Sequence, residues 1–351
     1  MKIIHCADIH LGSRIDSKFP REVSEQKREE LRSTFRRMVE YAKEEGISLI
    51  LLAGDVFDSD RPFKRDKDFF YSVVENNPEI DFLYLRGNHD KESTGQAPAN
   101  LKTFGDAWSC YDYGDVVIWG IEMAPGNATS LYSSLSPDQS RRNIVMMHGQ
   151  IADTQGMDKV HLPSLRDKSI NYLALGHVHT YTAGRVDRRG AYAYSGCLEG
   201  RGFDESGEKG FVVLEVTERS IKHTFLPFCE HVIRRIELDI TGLGDAYAVY
   251  QAAVAHIADR EDIYRFELIG EVEAHTDELC GDVAKYLASH CRFADVKDRT
   301  RRRIDLAAFE QDPSLAGEFV RRVFDSEAFT HEEKLQIASL GLRALKGIEV
   351  E

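Results

Sequence analysis

The sequence predicts an α/β protein built on two mixed sheets packed face to face, followed by a smaller α+β unit. Three observations carry this reading. Apolar runs at 2–6, 48–52 and 81–85 alternate with segments of helical periodicity, which is a β-α-β-α-β order. Further strand-like runs follow up to about residue 230, and the alternation then restarts. At 351 residues with 42% hydrophobic content, the chain has enough apolar material for two cores.

Between the first two strands, Leu31, Phe35, Met38, Val39 and Ala42 recur at helical spacing, and Gly46 supplies a stop. The runs 116–119, 143–147 and 172–175 continue as strands, and 181–186, 191–194, 211–216 and 221–225 read as hairpin strands. The second unit is expected to comprise a strand at 232–240, a helix at 245–258 opening after Gly242, Gly244 and Asp245, a strand at 263–269, a helix from Thr276 to 289, and a short strand at 293–296. Near the end, Thr330 with Glu333 forms a capping-box pattern before the apolar stripe Leu335, Ile337, Ala338, Leu342 and Leu345. These patterns divide the chain into domains at 1–230, 231–305 and 306–351, the last a helical tail with a possible role in docking a partner.

No run approaches a membrane span, and the stretch before Asp8 is too short for the apolar region of a secretory signal, so a cytoplasmic location is expected. Six cysteines without a CxxC pair argue against a disulfide framework and against a thiolate zinc site, and are read as reduced and mostly buried. The net charge of −14 runs against a nucleic-acid ligand, although bound cations or a partner could offset it locally. Basic clusters at Arg14 to Arg28, Arg61 to Arg65 and Arg299 to Arg303 are read first as solvated faces; Arg14, Arg61, Lys64 and Arg65 are the candidate substrate contacts.

The chemistry is carried by five short blocks, each where an apolar run gives way to glycine or a polar loop: Asp8-Ile9-His10, Gly54-Asp55, Gly87-Asn88-His89-Asp90, Met147-His148-Gly149 and Gly176-His177-Val178-His179. Residues two apart on an extended backbone face the same side, so Asp8 with His10 and His177 with His179 each present two donors in one direction. The candidate metal ligands are Asp8, His10, Asp55, Asn88, His148, His177 and His179, with Asp55 as the bridge between two cations. Carboxylate, carboxamide and imidazole without thiolate suit manganese, iron or zinc better than calcium. A pair of such ions is suited to phosphoester hydrolysis. His89 is cast as proton donor or charge stabiliser, oriented by Asp90 or Asp58.

In this order the blocks resemble the calcineurin-like metallophosphoesterase superfamily. Ala7 to Gly12, Ala53 to Asp58 and Arg86 to Asp90 resemble its SbcD-type DNA double-strand-break repair nucleases, as do Tyr194-Ser195-Gly196, Phe203-Asp204-Glu205 and Lys209-Gly210. The resemblance implies a four-layer α/β/β/α sandwich with a capping domain. It also implies two divalent ions, most readily Mn2+, and a 3′-to-5′ exonuclease and single-strand endonuclease acting on DNA. The implied partner is an SMC-like coiled-coil ATPase of the SbcC type, a homodimer is compatible with it, and no membrane is involved. Asp58 stands where archaeal and eukaryotic relatives often carry histidine, and Leu198-Glu199-Gly200-Arg201-Gly202 departs from the commonest pattern. Two other readings are a phosphodiesterase or phosphatase of the same fold acting on a small molecule or phosphoprotein, and a non-catalytic scaffold. Fold alone does not fix substrate.

Overall fold

A computed structural model describes residues 1–15, 19–90, 97–128, 130–243, 245–272, 277–302 and 306–345. Gly244, Thr276 and Arg303, invoked above, lie outside the described residues. The chain divides into two compact units, Met1–Arg234 and Arg235–Glu351.

In the first unit, β1 (Lys2–Cys6), α1 (Arg21–Glu44), β2 (Leu49–Ala53), α2 (Lys64–Glu75), β3 (Asp81–Leu85) and β4 (Leu101–Thr103) follow in order. A second series comprises β5 (Ser109–Tyr113), β6 (Val116–Gly120), α3 (Leu131–Ser134), β7 (Arg142–His148), β8 (Gln150–Ile151), β9 (Lys159–Val160), α4 (Leu162–Leu165) and β10 (Tyr172–Gly176). It closes with β11 (Thr182–Arg185), β12 (Ala191–Tyr194), β13 (Gly210–Val216) and β14 (Ile221–Pro227). The first sheet has the order β14-β13-β1-β2-β3-β4, and its strands β1 to β4 are parallel. The second has the order β11-β12-β10-β7-β6-β5, with β12, β10, β7 and β6 parallel. Antiparallel β5, β11, β13 and β14 occupy the outer positions, so both sheets are mixed.

Alternation along each strand builds the layers. Ile3, Leu49, Leu51 and Leu83 from the first sheet pack against Ile118, Ile144, Met146 and Ala174 from the second. The other face of the second sheet, through Val145, Met147, Leu173 and Leu175, packs on Leu131 and Tyr132 of α3 and Leu165 of α4. Helices α1 and α2 contribute Phe35 and Phe70, whose rings meet at 5.7 Å, and Phe70 in turn meets Tyr84 of β3. The result is the expected four-layer arrangement, with short helices on the second sheet.

Helix α1 begins well before the apolar stripe seen in the sequence, because its first half buries charge. Lys27 is fully buried with its Nζ 2.6 Å from Glu30 and 3.1 Å from Glu199, and Thr34 donates to Glu199 at 2.6 Å. Burial alone would lower the Lys27 pKa, but the two carboxylates push it up to about 12. The reading of this basic cluster as a solvated face is therefore corrected at Lys27. The cysteine reading holds for Cys6, Cys197 and Cys291, which are buried, whereas Cys110 is exposed. Strands β4 and β5 and helix α3 were not anticipated. They are short and weakly patterned, and β5 buries little of itself.

In the second unit, β15 (Ile233–Asp239), β16 (Ile263–Ile269) and β18 (Phe293–Asp298) form a sheet, and β17 (Glu271–Val272) pairs with β19 (Arg301–Arg302). Helices α5 (Ala246–Ala255) and α6 (Asp277–Leu287) share a core with it through Val249, Ala253, Val283 and Leu287. Asp245 caps α5 by accepting from the Ala248 amide. Three helices follow, α7 (Leu306–Glu310), α8 (Leu315–Asp325) and α9 (His331–Leu345). The capping box opens α9: Thr330 N–H donates to Glu333 at 2.7 Å and Glu333 N–H to Thr330 Oγ at 3.3 Å. Among the described residues no helix is long and apolar enough to cross a membrane.

Candidate metal centre

The parallel strands of both sheets run toward one crevice, and the five blocks sit at their carboxyl ends. Asp8 follows β1, Asp55 follows β2, Asn88 follows β3, His148 ends β7 and His177 follows β10. Such an edge is where side chains from several strands converge. The loops after β1 and β2 are tied together by their backbones, Asp8 N–H to Gly54 O at 3.0 Å, His10 N–H to Asp55 O at 3.0 Å and Leu11 N–H to Val56 O at 2.8 Å.

Convergence forces unusual backbone. Asp8, His10 and Asp55 have φ of 53°, 52° and 52°, and His177 has 101°, in a region that side chains with a Cβ rarely adopt. Glycines make the close approach possible. A Cβ on Gly54, whose φ is 98°, would collide with the His148 ring, and one on Gly87 would collide with the Asp55 carboxylate.

Two groups of donors assemble here, Asp8 with His10 and His179, and Asp8 with Asp55 and His148. They meet at Asp8. Asp55 also reaches both sides, 3.4 Å from His148 Nε2 and 4.0 Å from His10 Nε2, between the groups where the sequence reading places its bridge. Asn88 Oδ1 lies 3.0 Å from His148 Nε2 and 3.3 Å from His177 Nδ1. All seven sequence candidates are thus brought to one crevice.

The histidines are set up as ligands. His148 Nδ1 lies 2.9 Å from Ala53 O, His179 Nδ1 lies 2.7 Å from Glu205 Oε1, and His10 Nδ1 lies 3.1 Å from Asp58 Oδ1. With each Nδ1 close to an oxygen, each Nε2 is turned toward the crevice, the way supporting oxygens orient metal-binding imidazoles. His10 Nε2 and His179 Nε2 face each other at 3.2 Å, and the buried carboxylates of Asp55 and Asp8 stand beside them. Carboxylates and imidazoles gathered this closely form a donor set that suits divalent cations.

Burial pushes the Asp8 carboxyl up to about 6. Burial also opposes ionisation of Asp55, yet the His148 and His10 imidazoles hold its carboxyl well below the usual range. Burial disfavours a charged His148, but Asp55 and Asp8 outweigh it and raise this imidazole to about 9. Protons therefore compete with cations for the same atoms. Divalent-cation affinity should fall as pH drops through about 6, where Asp8 takes a proton, and should go on rising toward pH 9 as His148 releases one. Calorimetric titration across that range checks this, and a pH-independent affinity contradicts it.

Sequence reasoning missed two residues in this network. Arg201, nearly buried, donates to Glu205 through Nη2 at 2.5 Å and Nε at 3.2 Å, to Asp58 Oδ1 at 2.7 Å, and to Ser13 at 3.3 Å. It thereby joins the carboxylate behind His179 to the one beside His10. Burial works against the Glu205 charge, but His179 and Arg201 hold its carboxyl well below the ordinary range. The signals were the glycine-flanked Arg201 and the Phe203-Asp204-Glu205 run that follows it, neither of which was given a role. Glu205→Ala should leave His179 unoriented and weaken divalent-cation binding by about 10- to 100-fold. An unchanged calorimetric affinity would remove Glu205 from this role.

The expected orienters of His89 are corrected. The Asp90 carboxylate accepts from the amides of Val56, Phe57 and Gly87 at 3.2, 3.0 and 3.1 Å and so clamps the loops together. The Asp58 carboxylate is turned to His10 and Arg201, and it is the Asp58 backbone oxygen that meets His89 Nδ1, at 3.1 Å. The His89 side chain is exposed at the mouth of the crevice, its ring edge-on to that of His10 with centroids 5.4 Å apart.

Beside Gly12 and Ser13 opens a cleft of about 500 Å³ lined by Arg14, Arg28, Arg32, Arg65 and Phe63. Glu25 is also in its wall and pairs with Arg21 at 2.8 Å. Of the four candidate substrate contacts, Arg14 and Arg65 line this cleft, while Arg61 and Lys64 are exposed outside it.

The chain is 26% identical over 274 residues to an uncharacterized metallophosphoesterase, YhaO, of Bacillus subtilis, covering 72% of this chain and 66% of that one. It is 28% identical over 196 residues to the DNA double-strand break repair protein Mre11 of Saccharolobus solfataricus, covering 51% of this chain and 50% of that one. The chain therefore spans about half to two thirds of the length of these relatives. A dimetal phosphatase from Danio rerio aligns with a TM-score of 0.42 at 9% identity, over 64% of this chain and 98% of that one. The profile of the Calcineurin-like phosphoesterase family matches residues 1–181, more than half of the sequence and the stretch that carries all seven candidate ligands, and the chain belongs to that family.

Proposed function

We propose that the protein is a DNA nuclease that hydrolyses phosphodiesters at a centre of two divalent cations. The observation that carries this reading is the pair of donor groups meeting at Asp8, with His89 at the crevice mouth. Asp8, His10 and His179 would hold one cation, and Asp8, Asp55 and His148 the other, with Asn88 and His177 beside the second. When bound, two such ions polarise phosphoryl oxygens and make an attacking water more acidic.

The remaining work falls to the chain. Glu205 and Asp58, held by Arg201, fix the rings of His179 and His10. The Asp58 oxygen engages His89 Nδ1 and leaves its Nε2 directed outward. In the imidazolium form this nitrogen donates a proton to the leaving oxygen or steadies charge on phosphorus. In the neighbouring cleft, arginines suit the phosphates flanking the scissile bond, and Phe63, 57% exposed, offers a ring on which a base can stack. That cleft sets local positive charge against the net −14 of the chain.

DNA as substrate is supported by the relative described as a DNA double-strand break repair protein. The finer reading is a manganese-dependent 3′-to-5′ exonuclease and single-strand endonuclease that works with an SMC-like ATPase, with 231–305 as its capping domain and 306–351 as the docking tail. The acidic composition favours the second reading, a phosphodiesterase of small substrates. Incubation of the full chain and manganese with end-labelled single-stranded DNA and, separately, with an aryl phosphodiester separates them. Cleavage of both supports the nuclease. Cleavage of the aryl ester alone favours the small-substrate enzyme, and cleavage of neither refutes both.

A further inference from the structure

At the other end of the second sheet lies a second basic cleft, of about 420 Å³, which nothing in the metal chemistry uses. Its wall includes Arg142, Asn171, Arg185, Arg189, Arg219 and Ser220. Arg142 opens β7, Asn171 precedes β10, Arg185 ends β11, Arg189 lies in the turn before β12, and Arg219 with Ser220 in the turn between β13 and β14. Strand β7 has seven residues, so at roughly 3.3 Å per residue Arg142 lies about 20 Å from His148 at its far end.

Two of these guanidiniums are held by backbone oxygens. Arg185 donates to the backbone oxygens of Asp187 and Arg188 at 3.1 and 2.6 Å, and Arg189 donates to those of Gln139 and Arg141 at 2.8 and 3.1 Å. Among the described residues, Arg142 Nε is buried with no hydrogen-bond partner, an arrangement that leaves a donor to be satisfied. No carboxylate lines the cleft. The neighbouring Asp187 is engaged with backbone, its oxygens accepting from the amides of Arg189, Gly190 and Asp167, and the neighbouring Asp112 pairs with Arg141 at 2.7 Å. Asn171 Oδ1 accepts from the Asn143 amide, so the amide group of its side chain remains a further donor. In a chain of net charge −14, four arginines around a carboxylate-free cleft, two of them fixed by carbonyl oxygens, form a receptor for an oxyanion.

We propose that this cleft is a second anion site, separate from the metal centre, that binds phosphate groups. The phosphates come either from a nucleic-acid strand or from a free phosphorylated compound, since both present the same oxygens to bidentate guanidiniums. The site does not depend on hydrolysis, so it can be tested on the full chain in the presence of a chelator.

Inorganic pyrophosphate, titrated calorimetrically, is expected to bind saturably, and the double variant Arg142→Gln/Arg219→Gln to weaken that binding by about tenfold or more. Arg219→Gln alone, confined to a turn, should weaken it less. Manganese-supported hydrolysis of an aryl phosphodiester by both variants should remain at the parental rate, which shows that fold and metal centre are intact. A single-stranded oligonucleotide that displaces pyrophosphate, and that itself loses affinity in the double variant, identifies backbone phosphate as the source. Pyrophosphate binding that the oligonucleotide leaves untouched identifies a free phosphorylated compound. Absence of saturable binding, or equal affinity in parent and double variant, overturns the proposal.

Discussion

Asp55→Asn is expected to lower phosphodiester hydrolysis by about 10³-fold or more, the loss that several kcal/mol of transition-state stabilisation represents. The amide has the shape of the carboxylate but not its charge. Asp55 stands 3.4 Å from His148 Nε2 and 4.0 Å from His10 Nε2, and its other oxygen accepts the His89 amide at 2.9 Å. An amide nitrogen placed on the cation side would turn a donor toward positive charge, while one placed on the other side would face the His89 N–H. Either orientation breaks one half of the arrangement. The loss of hydrolysis should therefore come with a loss of bound metal, at least one ion per chain by elemental analysis after manganese loading and desalting. Full metal content in this variant removes Asp55 from the ligand set.

His89→Ala is expected to divide metal binding from turnover. The His89 contact with Asp55 runs through the backbone amide, which alanine retains, so both donor groups keep their geometry. What disappears is an imidazole at the mouth of the crevice, held by the Asp58 backbone oxygen. A positioned acid of this kind contributes about 10²- to 10⁴-fold. The variant should hold its metal and lose about 10²- to 10³-fold in kcat. Normal turnover, or loss of metal together with activity, contradicts the assignment.

The metal centre was legible because its donors lie in short blocks at the ends of apolar strands, and strand ends of a parallel sheet converge whatever the remainder of the chain does. Asp8, Asp55 and His148 needed only that rule. The supporting residues were not legible in the same way. Glu205 and Arg201 reach His179 and Asp58 because the segment after β12 folds back on the crevice, and Arg201 meets a residue 143 positions away. No local periodicity announces such a contact. Asp90 was misread for a related reason: adjacency to His89 in the chain suggested contact, whereas its carboxylate turns inward to three backbone amides. The fold shows the same division. Strands with continuous apolar runs were placed to within a residue, as at Asp81–Leu85, while β5, whose side chains are largely exposed, carried no pattern to read. Lys27 shows the opposite failure, a charge that looks solvent-facing by residue type and is buried because Glu199 arrives from far along the chain.

The four side-chain-bearing positions with positive φ at the crevice give the protein a reserve of conformational tension. Each such backbone is less favourable by about 1–3 kcal/mol than a relaxed one, and it persists because neighbouring loops leave no alternative. An ion that binds the folded chain and not the unfolded one draws on that preformed geometry and adds its own binding energy to the native state. Heat resistance and cation supply are thereby coupled, and a cell short of the ion would hold a protein that is less durable as well as idle.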